Sequence, residues 1–200
     1  MSSTNRGSNR IPNDLYPTPA PAINSLLEVM NVPHWVRFHE PCRGTGAIYN
    51  LIPSCHKSYD EISEGLDYLK TQSPAGGYSL IITNPPFSLA LAFLQKSLTE
   101  ANTVAYLLRL NFLGSRERRP FWQAHRPSHV ITLAERPAFV WTCRPRKGEK
   151  RGCGNSYLPE ITTVCECGRK VGPTTDSVEY AWFIWDKGGF VNLEPGVHVR

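Results

Sequence analysis

Apolar residues gather in short bursts along this chain, and two bursts are nearly unbroken: Tyr78-Ser79-Leu80-Ile81-Ile82-Thr83 and Thr103-Val104-Ala105-Tyr106-Leu107-Leu108. Runs apolar on both faces predict strands of a sheet covered on both sides. Trp35–His39 predicts a first strand, Lys57–Tyr59 a weak second, and His129–Leu133 and Val178–Trp185 later ones. Between them the spacing turns helical. Ile23, Leu26, Leu27 and Met30 mark a helix ended by Pro33, and Ile48, Leu51 and Ile52 a short one. Ser88 to Thr99 predicts a helix with Ser88 as N-cap and Leu91, Leu94 and Leu98 on one face. A further helix starts within Ser115–Arg119. Strand and helix alternate through two thirds of the chain, which predicts an α/β fold with a mostly parallel sheet. Gly188-Gly189 predicts a turn from Val178–Trp185 into a last strand near Val191, so that the sheet ends in an antiparallel hairpin.

Thr142 to Thr175 breaks this pattern. It is rich in Arg, Lys, Gly and Cys, lacks core-forming periodicity, and reads as an insertion (142–175) between two sheet strands. Length adds little beyond a single domain: 200 residues, 40% of them hydrophobic, suffice for one real core over 14–200. A net charge of +5 is mildly basic, so only its clustering is informative. No apolar run approaches a membrane span, so no membrane partner is expected. Residues 1–13 are polar, lack the apolar core of a secretion signal and read as a disordered tail. A cytoplasmic protein follows, in which six cysteines are thiols or metal ligands rather than disulfides.

Chemistry enters at two predicted strand ends. Asn84-Pro85-Pro86-Phe87 closes the Tyr78–Thr83 run. Two prolines stop a strand and stiffen the loop beyond it. In an open α/β sheet that carboxyl end is where ligands bind. The loop would offer one side-chain amide, bare carbonyls and an aromatic face to a flat, amine-bearing ring. Glu40-Pro41-Cys42-Arg43-Gly44-Thr45-Gly46 follows the first strand. Its two glycines permit a tight turn close to a ligand, and its missing third glycine argues against a pyrophosphate cradle. A carboxylate at Glu40 suits a cationic or amine-bearing ligand. Cys42 and Cys55 read as packed, structural thiols.

Together, and in this order, these two loops resemble the class I S-adenosylmethionine-dependent methyltransferases. Within them the chain is most similar to bacterial and phage DNA adenine-N6 methyltransferases, over about Asp14 to Phe121 and again Val178 to Asp186. Leu108 to Ser115 adds to the phage-like character. The resemblance implies a Rossmann-like fold, S-adenosylmethionine as cofactor, double-stranded DNA as partner and a bacterial or phage-infected host cell. By it, Tyr16, Thr18 and Pro19 correspond to an N-terminal segment lying against the cofactor's methionine end. Glu40, Pro41, Gly44 and Gly46 form the cofactor loop. An acid after the second strand binds the ribose hydroxyls, and Glu61 is the choice, with Asp60 the alternative. Asp67 accepts from the cofactor's adenine amine, and Asn84 borders the same site.

The acceptor chemistry follows from the substrate. An adenine exocyclic amine is a poor nucleophile because its lone pair is delocalised. The Asn84 side-chain oxygen and the Pro85 carbonyl would accept its two protons and localise the lone pair toward the methyl. Pro86 stiffens the loop, and Phe87 stacks on a base flipped out of the duplex. Phe112 is a second stacking candidate or a core residue. Similar loops also serve methylation of RNA bases, cytosine N4 or protein glutamine, and a DNA-binding module without catalysis is a further alternative.

Four cysteines fall in the insertion: Cys143, Cys153, Cys165 and Cys167. A polar segment without a core needs a staple, and a tetrahedral thiolate site would hold a structural zinc. Arg144, Arg146, Lys147, Lys150 and Arg151 crowd the same stretch. With Arg116, Arg118 and Arg119 they would line a DNA path by contacting phosphates.

Overall fold

The computed structural model of the chain describes residues 16–145, 147–149, 152, 153, 155–157, 163–175 and 178–200. The expected tail 1–13, Asp14, and the basic residues Arg146, Lys150 and Arg151 lie outside the described residues.

The two long apolar runs form neighbouring central strands, β3 (Tyr78–Thr83) and β4 (Ala101–Arg109). With β1 (Arg37–Glu40), β2 (His56–Tyr59), β5 (His129–Thr132), β9 (Tyr180–Asp186) and β10 (Gly196–Val199) they build a seven-stranded sheet. The order is β10-β5-β9-β4-β3-β1-β2. Every pairing is parallel except those of β9, which runs antiparallel to both β4 and β5.

Strand side chains alternate between the two faces, so each central strand feeds two cores. Leu80, Ile82, Ala105, Leu107, Trp182 and Ile184 face α1 (Ala20–Leu27) and α2 (Ala47–Leu51). Ile81, Val104, Tyr106, Leu108, Ala181 and Phe183 face α3 (Ala90–Glu100) and α4 (Arg119–Ala124). Leu26 of α1 is fully buried, worth about 2 kcal/mol for such a side chain. The Trp182 indole donates to the Ala22 carbonyl at 2.7 Å and fixes α1 on the sheet.

Several boundaries differ from expectation. α1 ends at Leu27, well before Pro33. Met30 bridges to Val191 instead, and the Asn31 N–H bonds the Phe190 carbonyl, drawing the chain off the helical path. Ser88 does not cap α3. The Leu89 N–H bonds the Pro86 carbonyl, so Ser88 sits inside a turn and the helix begins at Ala90. Its buried face is Ala90, Phe93, Leu94 and Ser97, with Leu91 and Leu98 flanking it. The antiparallel hairpin is built by β5 and β9, and Val191 makes only the bridge to Met30. The closing strand β10 instead lies parallel to β5.

The insertion falls between those two hairpin strands. It carries a three-stranded sheet of its own, β7-β6-β8, from β6 (Val140–Cys143), β7 (Ser156–Tyr157) and β8 (Val171–Thr174). Its small core is Cys143, Cys165 and Val171 with Trp141 and Tyr157. Among the described residues no helix is long and apolar enough to cross a membrane.

Candidate active site and metal centre

The chain passes from β1 out to the edge strand β2, then returns across β1 to β3. That reversal opens a crevice at the carboxyl ends of β1 and β3, where doubly wound folds bind ligands. Both loops singled out from the sequence end there. One cavity is lined by Tyr16, Thr18, Glu40, Gly44, Glu61 and Asn84, together with Cys42, Arg43, Ile62 and Ser63. Pro86 also lines it, whereas Pro19, Pro41, Gly46, Asp67, Pro85 and Phe87 do not.

Three residues lining this cavity each carry one buried polar atom without a hydrogen-bond partner: Glu40 Oε2, Arg43 Nε and Asn84 Oδ1. Glu40 is 2% exposed, and its Oε2 has no hydrogen-bond partner. Burial pushes its carboxyl well above the usual range, against the Tyr49 backbone N–H and the nearby Arg43 charge. Such a group favours a cation that can pair with it. Asn84 is held on one side only. Its Nδ2 donates to the Tyr16 carbonyl at 3.2 Å, while its buried Oδ1 has no partner. A carbonyl can only accept, so this contact fixes which end of the amide faces Tyr16 and leaves the oxygen open. The neighbouring Pro85 carbonyl accepts no hydrogen bond from the described residues. Below the loop, Cys42 Sγ lies 2.9 Å from Thr83 Oγ1 and 3.5 Å from the Asn84 carbonyl. Burial raises this thiol far above its ordinary value, so Cys42 is a packing group, not a nucleophile.

Gly44 and Gly46 hold φ of 53° and 84°, the left-handed region that favours glycine. The loop they form is stitched to the next one by Glu61, whose Oε2 accepts from the Gly44 N–H at 2.7 Å. Its Oε1 accepts from Ser63 N at 3.0 Å and Ser63 Oγ at 2.8 Å. Burial raises the Glu61 carboxyl, but these donors and Arg43 outweigh it and hold the group below its ordinary value. Three of its roughly four acceptor positions are therefore occupied, which leaves about one for a ribose hydroxyl. The alternative acid is taken: Asp60 accepts from His39 Nε2 at 3.0 Å and Thr71 Oγ1 at 2.8 Å. Asp67 does not line the cavity. Its carboxylate accepts from Leu69 N at 3.1 Å and pairs with Lys70 at 3.0 Å, closing its own turn away from the cavity.

Each aromatic candidate has an arginine over its ring. Arg109 places its guanidinium 4.2 Å from the Phe87 ring centroid while its Nε donates to Tyr180 OH. Phe87 packs against Tyr180 and the core, with one ring face covered by a cation. Phe112 has Arg118 over its ring at 4.5 Å and Trp122 edge-on at 5.8 Å. Arg118 Nε also donates to the Phe112 carbonyl at 2.7 Å, so this arginine is a local brace instead of a free phosphate contact. Arg116 and Arg119 are exposed, as are Arg144 and Lys147 of the insertion. Sequence reasoning assigned no role to Arg43 or Arg109. Arg43 stacks 3.9 Å over Tyr59 and pairs with Glu64, walling one side of the cavity. Only its place inside the glycine loop pointed to it.

The insertion brings its four cysteines together. The Sγ atoms of Cys143, Cys153, Cys165 and Cys167 all lie within 4.8 Å of one another. Individual pairs are 3.0 to 3.4 Å apart, and all four are free thiols. A tetrahedral zinc with bonds of about 2.3 Å sets its sulfurs about 3.8 Å apart, so the cluster needs only a slight expansion. The Tyr157 hydroxyl donates to Cys165 Sγ at 3.1 Å, and with the Cys167 N–H it pulls that thiol down to about 6. A thiolate is the form a metal takes. These residues fit a structural zinc with every ligand supplied by protein.

The fold is a Rossmann-like methyltransferase fold, a mostly parallel seven-stranded sheet with an antiparallel strand at β9. A Pyrococcus horikoshii protein described as a "putative RNA methyltransferase" matches with TM-score 0.54 and 14% identity, covering 92% of this chain and 95% of that one. A Listeria monocytogenes protein described as a "putative class I S-adenosylmethionine-dependent methyltransferase" gives TM-score 0.48 and 11% identity over 88% of this chain and 61% of that one. A dimethyladenosine transferase from Plasmodium falciparum gives 0.40 and 14% identity, with coverage of 50% and 44%. This chain thus spans less than two thirds of the Plasmodium and Listeria proteins. No protein-family model matches the chain, and no curated protein does.

Proposed function

We propose that this chain is an S-adenosylmethionine-dependent methyltransferase acting on the N6 amine of adenine in double-stranded DNA. One observation carries the reading: the Asn84 amide is anchored through its nitrogen to the Tyr16 carbonyl, and its buried oxygen is left unclaimed at the cavity edge. An acceptor held in place before the substrate arrives needs no reorganisation as charge develops. The cofactor supplies, when bound, a methyl group on a sulfonium. Glu40 would meet the cofactor's ammonium, which explains an ionisable oxygen buried without a partner. Gly44 and Gly46 let the backbone approach it, and Glu61 offers its remaining acceptor position to a ribose hydroxyl. Asn84 Oδ1 and the Pro85 carbonyl accept the two protons of the acceptor amine and draw its lone pair out of the ring. The amine proton leaves after transfer, so no strong general base is needed.

A second reading keeps the site and changes the polymer. The Pyrococcus neighbour's description names RNA, and an unpaired adenine in RNA presents the same amine to Asn84. The deciding experiment incubates the protein with methyl-labelled cofactor and unmodified duplex DNA, RNA or cell protein. Digestion and nucleoside mass spectrometry follow. N6-methyladenine in DNA is the expected product; label confined to RNA supports the second reading, and label confined to protein would overturn both.

A further inference from the structure

We infer that an open cleft along α4 is a polynucleotide-binding track, separate from the cofactor cavity. It is lined by Arg116, Arg119 and Arg126 together with Leu113, Trp122 and Gln123. The three guanidiniums are exposed and form no ion pair or hydrogen bond through their side chains among the described residues. Arg119 and Gln123 are four apart on one side of α4, and Arg126 lies just past its C-terminal end. Between Leu110 and Ser128 Glu117 is the sole acid, against four arginines, and it does not line the cleft. The Trp122 ring is stacked on Trp185 with centroids 6.1 Å apart and its Nε1 donates to the Phe112 carbonyl at 3.3 Å. It is therefore a rigid apolar surface in a basic setting.

This combination suits a sugar–phosphate chain. Guanidiniums set at intervals neutralise successive phosphates, an immobilised aromatic gives a sequence-tolerant contact for a base, and a glutamine amide can both donate and accept. An acidic protein segment would use the arginines but gain little from Trp122 and Gln123. Topology gives the track a direction. Leu113 and Arg116 belong to the chain leaving the C-terminal end of β4, the sheet edge at which β3 delivers Asn84. A strand lying in the cleft would thus run toward that edge. The inference extends the proposed function by naming where the polymer lies, and it survives if the acceptor proves to be RNA.

The test is fluorescence anisotropy with a labelled 20-nucleotide single strand, a duplex of the same sequence, and poly-glutamate as competitor. The triple variant Arg116→Ala/Arg119→Ala/Arg126→Ala should bind at least tenfold more weakly. Its plot of log affinity against log salt should be shallower by about two on single strands and nearly three on duplex. Calorimetry with S-adenosylhomocysteine should match the unmodified protein, which shows that the fold and cofactor cavity are intact. Gln123→Ala, an exposed change, should weaken binding a few-fold with the slope retained. The track does not include Asn84, so a failed methylation reading leaves this binding result standing. Unchanged affinity and slope in the triple variant, or displacement by poly-glutamate as effective as by unlabelled oligonucleotide, would overturn the inference.

Discussion

Replacing Asn84 by Ala separates the two ends of its amide. The nitrogen makes one neutral hydrogen bond, to the Tyr16 carbonyl at 3.2 Å. Such a bond is worth about 1 kcal/mol, so its loss should weaken cofactor binding by no more than about fivefold. The oxygen makes no bond at rest. A buried unsatisfied oxygen itself costs roughly 1–3 kcal/mol, so its removal should offset the lost bond and leave stability nearly unchanged. In the transition state the balance reverses, because the oxygen is then an acceptor for a polarised N–H. Loss of a preorganised partner of this kind costs roughly a hundred- to a thousandfold in kcat. Transfer of a labelled methyl group to DNA gives kcat and KM, and calorimetry with S-adenosylhomocysteine gives affinity. A variant with kcat within threefold of the parent would refute the argument, whatever its KM.

The remaining predictions concern other parts of the molecule. Burial raises the Glu40 carboxyl, so the folded chain holds this proton at pH values where the unfolded chain has lost it. This group's contribution to stability should therefore be full below the ordinary glutamate range and decline as pH rises through its elevated value. Denaturation of Glu40→Gln across pH should lack that decline, and calorimetry should show its cofactor binding lost at every pH. The purified protein should carry about one zinc per chain by metal analysis. Cys165→Ser should lose the metal, and an unchanged melting temperature in a metal-free protein with titratable thiols would count against the site. Gly77 holds a φ of 62°, and an added methyl there would collide with the Glu100 carbonyl. Gly77→Ala should cost roughly 2–4 kcal/mol, read by calorimetry as a melting point lowered by roughly 5–15 °C.

The central sheet was legible because its strands are covered on both faces, so β3, β4 and β9 announce themselves as apolar runs. The site was legible for a different reason. Proline pairs and glycines mark abrupt chain reversals, and both reversals sit at strand ends. What stayed hidden depended on partners distant in sequence. β10 is a short Gly-Val-His-Val strand with both valines exposed, and only the β5 backbone makes it a strand. Ser88 has the chemistry of a cap, but a turn held by the Pro86 carbonyl removes it from the helix start. Asp67 and Glu61 are both acids beyond β2, and only their donors distinguish them: Lys70 and Leu69 for one, Gly44 and Ser63 for the other. The four cysteines could be counted in the sequence, but their convergence needed the small sheet that folds them together.

The hairpin that carries the insertion has a consequence for how this molecule can change. Thr132 and Ala181 face each other across an antiparallel pair, where Cα atoms lie about 5 Å apart. The excursion between them starts and finishes at nearly the same point, so a plain turn could replace most of it without moving a central strand. Lengthening, shortening or exchanging that module should therefore leave the register of the central sheet as it is.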